Sequence, residues 1–145
     1  MRPANTEDDI RRIVAADPRY PYEAYVFVQE ALEHTQRALG RNKPNETHVG
    51  GKELLEGIRK YALLSFGPMV PTMLQEWGIR SCEDFGEIVF NMIEHNVAMK
   101  KNHSDRRDDF KGGYNFEDAF RKPFLPSKAL LPPPKEDEEK MSLGD

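Results

Sequence analysis

The side chains best suited to catalysis or metal binding are four histidines and one cysteine, and they lie far apart in the sequence. No two histidines have the four-residue separation that places two metal ligands on one face of a helix. Cys82 lies at the start of a predicted helix, where the dipole can lower a thiol pKa, but Glu83 and Asp84 oppose that shift. These positions therefore predict neither a metal centre nor an activated nucleophile. The histidines are His34, His48, His95 and His103.

The glycine pair in "HVGG" does not form a phosphate-binding loop. It lacks the further glycines and the following Lys-Ser or Lys-Thr that such a loop needs. We interpret Gly50-Gly51 as a turn that leads into a helix. A loose divalent-ion site at His103 and Asp105 is an alternative to a plain charged loop. Because no nucleophile, base and oxyanion donor come together, we expect a protein without enzymatic activity and without a cofactor.

Composition indicates a small protein with a modest core. The 145 residues are 38% hydrophobic and 32% charged, which suits one domain of ~100–150 residues. A net charge of -4 provides no overall attraction to nucleic acid. One cysteine excludes an internal disulfide and fits a reducing cytosol, and no apolar run approaches the ~18–20 residues of a membrane span. We expect a bacterial, cytoplasmic protein that does not enter a membrane.

Helical periodicity predicts five helices in the first two thirds of the chain. The fifth has the clearest pattern: Ser81 is its expected N-cap, Asp84 follows three residues later, and an apolar stripe runs from Phe85 to Ile93. Gly67-Pro68 separates the third helix from a short fourth one, because proline is well suited to a first helical position. The other four helices are expected at 7–16, 20–39, 48–66 and 68–77.

A β-hairpin is predicted to follow the fifth helix. Residues 96–101 are expected to form a strand, 102–109 a charged loop and 110–120 a returning strand. Three helices followed by a hairpin is the order of a winged helix. The predicted fold is therefore mainly α with a small β-hairpin, a winged-helix-like three-helix core extended by two N-terminal helices.

The predicted domain covers residues 1–121, and residues 122–145 have a different composition. They contain five of the eleven prolines and an acidic cluster, which favours a disordered tail. The alternative is that "PFLP" and "ALLPPP" within this tail dock on a partner.

Charge argues against the fifth helix as a DNA-reading helix. Residues 80–96 carry one cation against four carboxylates, a net of -3, and carboxylates facing a polyanion weaken binding. Residues 97–122, which include the predicted wing, carry a net of +2. We therefore expect a protein–protein contact through helix 81–96 and wing 97–115, with nucleic-acid or ribonucleoprotein contact by the basic wing as the alternative. The candidate partner-binding residues are Glu83, Glu87, Asn91, Lys100, Lys101, Arg106 and Arg107.

Three tyrosines stand close together in "DPRYPYEAY", residues 17–25. The simpler interpretation is a hydrophobic staple that packs the first helix onto the third. The alternative is an exposed aromatic patch for a partner.

Four phrases of the sequence resemble a known family. These are "DPRYPYEAYVFVQEAL", "HVGGKELLEGIRKYALLSFGPM", "EWGIRSCEDFGEIVFNMIE" and "DDFKGGYNFEDAF". Together they are similar to an uncharacterised family found mainly in Verrucomicrobia and Planctomycetes, over roughly residues 9–120. The resemblance implies a bacterial cytosolic origin and no particular activity, cofactor or catalytic residue.

Overall fold

The computed structural model describes residues 6–41, 48–95, 97 and 107–126, and this part of the chain is mainly helical. All five predicted helices are present, and each lies close to its expected range. They are α1 (Thr6–Ala16), α2 (Tyr22–Ala38), α3 (Gly51–Phe66), α4 (Val70–Glu76) and α5 (Cys82–Glu94), with a 3-10 turn at Gly67–Met69 before α4.

The expected capping carboxylate at Asp84, and a second one at Glu53, explain where two helices begin. In α5 the Asp84 carboxylate accepts hydrogen bonds from the backbone N–H groups of Arg80 at 2.8 Å and Ser81 at 3.3 Å. In α3 the Glu53 carboxylate accepts the Gly50 N–H at 3.0 Å. These carboxylates satisfy backbone donors that have no partner within the helix.

The core is centred on α2, which packs against both α3 and α5. Tyr25 and Val28 of α2 are fully buried, as are Ile58 of α3 and Ile88 of α5. The two N-terminal helices are therefore part of the core rather than an extension in front of it. Ile10 of α1, also fully buried, completes the same cluster.

The helices α2 and α3 come closest at Gly57. A β-carbon at this position would lie only 2.8 Å from the Thr35 β-carbon. Thr35 itself is buried, and its hydroxyl donates to the Ala31 carbonyl at 2.7 Å. Only glycine at 57 permits this helix separation.

The returning strand predicted at 110–120 is wrong, and no described residue lies in a β-strand. A 3-10 turn spans Arg107–Phe110, and a π-helical turn spans Glu117–Arg121, followed by a 3-10 turn at Lys122–Phe124. Asn115 is the reason for the helical turn, because its side-chain oxygen accepts the Asp118 N–H at 3.1 Å and caps it. The strand predicted at 96–101 lies outside the described residues except for Val97.

Residues 107–126, which we call the strap, pack against the helical core. The Phe110 ring sits on the backbone of α3 and α5, where β-carbons at Gly51 and Gly86 would come within 3.1 and 2.9 Å of Phe110 atoms. The Tyr114 hydroxyl then donates to the Leu55 carbonyl at 2.9 Å. The strap includes residues 110–120, which were predicted to form one strand of a wing.

We expect Gly57→Ala to lower the free energy of unfolding by about 2 kcal/mol, because the crowding of overpacking outweighs the ~1 kcal/mol that alanine gains in a helix. Urea denaturation followed by circular dichroism measures this. Thr35→Gly in the same chain should reduce the penalty of Gly57→Ala, since it removes the atoms that clash. A Gly57→Ala variant as stable as the parent would contradict the close packing.

Candidate functional site

Glu83, Glu87 and Asn91 follow one another at four-residue intervals and share one face of α5. Glu83 is exposed, whereas Glu87 is half-buried and lies 3.3 Å from the Arg19 guanidinium. The Asn91 amide donates to the Asp17 carboxylate and to the Tyr25 hydroxyl oxygen, both at 3.0 Å. The turn between α1 and α2 therefore already contacts two of the three predicted partner-binding residues.

Asp17 is the centre of this polar network. The Arg19 guanidinium donates to its two oxygens at 2.9 and 2.6 Å. These hydrogen bonds, together with that from Asn91, hold the pKa of the Asp17 carboxyl well below its usual range, against the opposing effect of burial. The network anchors the α1–α2 turn to α5 with an ionised carboxylate.

The tyrosines at 20 and 25 belong to the same network. Tyr20 is buried and donates its hydroxyl to Asp84 of α5. Burial, followed by the hydrogen bond to Asp84, raises the pKa of Tyr20, so the phenol stays protonated. Both rings face α5 rather than α3, and neither forms an exposed aromatic patch. Within the described part of the chain, no buried side-chain nitrogen or oxygen lacks a hydrogen-bond partner.

Among the predicted wing cations, only Arg107 falls within the described residues, at the start of a 3-10 turn that packs against α5. Lys100, Lys101 and Arg106 lie outside the described residues, and Arg107 is described only as the first backbone position of its 3-10 turn.

Cys82 packs against the strap instead of facing solvent. Cys82 is only 2% exposed, and its sulfur accepts a hydrogen bond from the Tyr114 N–H at 3.4 Å. Burial raises the pKa of the Cys82 thiol above its usual value. The helix dipole therefore does not activate this cysteine.

The described histidines lie apart from one another. The His34 ring centroid is 5.3 Å from that of Tyr61, and His95 Nδ1 is 2.9 Å from the Asn91 carbonyl oxygen. His48 is exposed, and His103 lies outside the described residues. Across the described ranges, no group of three or more His, Cys, Asp or Glu side chains is arranged to hold a metal ion.

A groove that the sequence did not predict lies between α4 and the strap. Its volume is about 410 Å³. Leu74 of α4, Ile79 and Phe120 of the strap form an apolar floor and are all buried. Phe116 forms a wall, with its ring centroid 5.2 Å from that of Phe120. Because the floor residues are buried, the accessible lining of the groove is the Phe116 ring together with the polar side chains of its rim.

The rim of the groove is polar and contains two arginines. The Arg121 guanidinium pairs with Glu117 at 3.1 Å, and both residues line the rim. Arg80 lines it from the turn between α4 and α5, and its side chain makes no ion pair with any other described residue. Arg80 is thus the cation of this rim that remains available to a carboxylate.

Large apolar side chains are exposed beyond both sides of the groove. Met69, two residues before the groove residue Pro71, is 55% exposed. Phe124 and Leu125, which follow Arg121 on the strap, are 44% and 55% exposed. Exposed apolar side chains around a concave site are typical of surfaces that bind other molecules.

One local signal pointed to the strap half of this groove. Asn115 followed by Asp118 is a helix-start pattern, and Phe116 and Phe120 then fall four residues apart on one helical face. Leu74 of α4 lies on the opposite side of the groove, and sequence spacing does not show that the two halves meet.

The chain matches no family model, and no curated protein or solved structure is significantly similar to it. Membership of the family inferred from sequence phrases stays a prediction. None of the helices in the described ranges combines the length and the apolarity that crossing a membrane requires.

We expect Asp17→Asn to lower the free energy of unfolding by about 1 kcal/mol at pH 7, since the ion pair is partly exposed. Because the pKa of Asp17 is lower in the folded than in the unfolded protein, its ionised carboxylate stabilises the fold fully above the unfolded-state pKa of about 3.9. This contribution to the free energy of unfolding is lost as the pH falls through the folded-state pKa. The difference between variant and parent should therefore shrink progressively below about pH 4.

Urea denaturation at pH 7 and at several acidic pH values measures this difference. Glu33→Gln, which removes an exposed carboxylate of α2, is the matched control and should change stability little at any pH. A constant Asp17→Asn penalty down to the lowest pH would contradict the proposed ion pairing.

We expect Cys82 to react with a thiol reagent about 100-fold more slowly than an exposed cysteine, because attack requires opening of the strap at a cost of ~3 kcal/mol. A Lys52→Cys variant supplies the exposed reference within the same molecule. Absorbance at the reagent's product band should show one fast and one slow equivalent. Two fast equivalents would show that the strap does not cover Cys82.

Proposed function

We propose that this chain is a non-enzymatic binding module that acts through protein–protein contact. The observation that carries this proposal is the groove between α4 and the strap, with the Phe116 ring in its wall and the available Arg80 at its rim. The polar network on α5, by contrast, uses its charges within the molecule.

The proposed ligand is a short extended segment of a partner protein. A volume of about 410 Å³ lies in the range of ~300–1,000 Å³ that is usual for ligand sites. Aromatic walls such as Phe116 suit apolar or proline-rich segments, which bind with little loss of conformational entropy. A carboxylate beside the apolar residues would pair with Arg80.

The partner-binding surface predicted on α5 adjoins this groove. Arg80 immediately precedes the N-cap of α5, and the exposed Glu83 follows one turn later. We propose that α4, the turn after it and α5 act as a helix-turn-helix of the winged-helix kind used for protein contact. Whether Lys100, Lys101, Arg106 and Arg107 contribute is decided by the following experiment.

Affinity purification of the full chain from its native cell, with and without nuclease, tests the proposal. Arg80→Glu should reduce recovery of the bound protein about tenfold, equivalent to ~1.4 kcal/mol, by placing a carboxylate where the partner's carboxylate binds. Lys52→Glu, an equal charge reversal at an exposed position of α3, is the matched control and should leave recovery unchanged.

The wing is tested in parallel by Arg106→Glu combined with Arg107→Glu. Binding that survives nuclease and this double change supports the groove. Binding that disappears with nuclease, or that falls steeply with salt, would instead favour nucleic-acid contact by the wing.

A further inference from the structure

Residues 117–122, which we call the charged turn, present four charged side chains to solvent. They are two carboxylates followed by two cations: Glu117, Asp118, Arg121 and Lys122. Each of these side chains is more than half exposed, whereas Ala119 and Phe120 between them are buried. The solvent face of the charged turn is therefore acidic at its start, basic at its end and neutral in sum.

Ion pairs within the charged turn use only part of its binding capacity. Glu117 pairs with Arg121 at 3.1 Å, and Asp118 pairs with Lys122 at 2.8 Å. Exposed pairs of this kind contribute little to stability, and each group keeps hydrogen-bonding positions that its partner does not occupy. The four groups can therefore bind a further surface whose charges run in the opposite order.

A second copy of the charged turn has that opposite order when it lies antiparallel to the first. Glu117 of one copy then faces Lys122 of the other, and Asp118 faces Arg121. A two-fold axis forms each of these contacts twice, because both copies use the same surface. A parallel arrangement would instead oppose like charges. The order of charge thus favours a closed pair of copies.

Exposed apolar side chains lie beside the charged turn. Phe124 and Leu125 follow it directly, and Met69 belongs to the 3-10 turn that packs against it. These three residues are 44%, 55% and 55% exposed. They supply the apolar part that an interface between protein copies requires beside its ion pairs.

We propose that the charged turn, together with Met69, Phe124 and Leu125, forms a two-fold interface between two copies of this chain. In the antiparallel arrangement, Phe124 extends past Glu117 of the second copy toward its Phe116 ring. The inference goes beyond the proposed function and holds whether or not the groove binds a partner segment.

The exposed area fits a reversible dimer. The four charged and three apolar side chains are each about half exposed, so that each offers on the order of 100 Å². Together they approach the ~800 Å² per partner of a standard interface. Because the ion pairs remain at a solvated edge, we expect a dissociation constant on the order of 10 µM.

Sedimentation velocity of the full chain over a wide concentration range should show a monomer–dimer equilibrium. Two variants reverse the charge at one end only: Glu117→Lys with Asp118→Lys, and Arg121→Glu with Lys122→Glu. Each variant opposes like charges across the axis and should self-associate at least about tenfold more weakly than the parent. A mixture of the two variants should again form a dimer, with one copy of each. This restored association also shows that both variants are folded.

The apolar part is tested by Phe124→Ser, which should weaken the dimer about tenfold by removing buried apolar area. Leu39→Ser is the matched control and should leave the dimer unchanged. Leu39 is 43% exposed and lies near Arg41, which pairs with Glu53 at the start of α3, whereas Met69 follows the end of α3.

A parent chain that stays monomeric at every concentration would overturn the proposal, as would a variant mixture that does not associate. Assemblies larger than a dimer would also overturn it, because a two-fold interface closes at two copies. These measurements use the purified chain alone. The dimer can therefore fail while the recovery of a partner through Arg80 succeeds, and the reverse.

Discussion

The close packing of the Phe110 ring on two helix backbones is the constraint on which the rest of the structure depends. This packing requires the absence of a side chain at Gly51 and at Gly86, where added β-carbons would overlap Asp109 and Phe110 atoms. It brings the strap onto the interface of α3 and α5. Tyr114 then reaches the Leu55 carbonyl, and Phe120 reaches α4, so that Phe110 helps to hold the segment that forms one side of the groove.

Aromatic packing on the opposite side holds the other wall of the groove. The ring of Phe27 on α2 lies 5.6, 5.7 and 5.4 Å from those of Tyr61, Phe66 and Trp77. These contacts join α2, α3 and the end of α4 across short distances that are favourable for aromatic pairs. The orientation of α4, and with it the position of Leu74, follows from this cluster.

The two polar regions of the molecule differ in what their charges do. Around Asp17 each cation or amide donates to a group in the same molecule, so the network stabilises the contact between α5 and the α1–α2 turn. At the rim of the groove, Arg80 makes no ion pair with any other described residue. Solvated charges next to exposed apolar surface favour recognition rather than stability, and this contrast directs the functional proposal to the groove.

The five helices and most of their limits could be predicted from the sequence, because helical periodicity, the capping carboxylate of α5 and the break at Gly67-Pro68 are local signals. The apolar face of α5 could be predicted in the same way. The returning strand predicted over 110–120 is wrong because Asn115 caps a helical turn there, a local signal that the element order of a winged helix does not contain. The hydrogen bond from Asn91 to Asp17, 74 residues away, and the groove between α4 and the strap follow from tertiary packing. Such contacts depend on which faces pack together, and that choice is made by the summed packing of the whole core rather than by any local pattern.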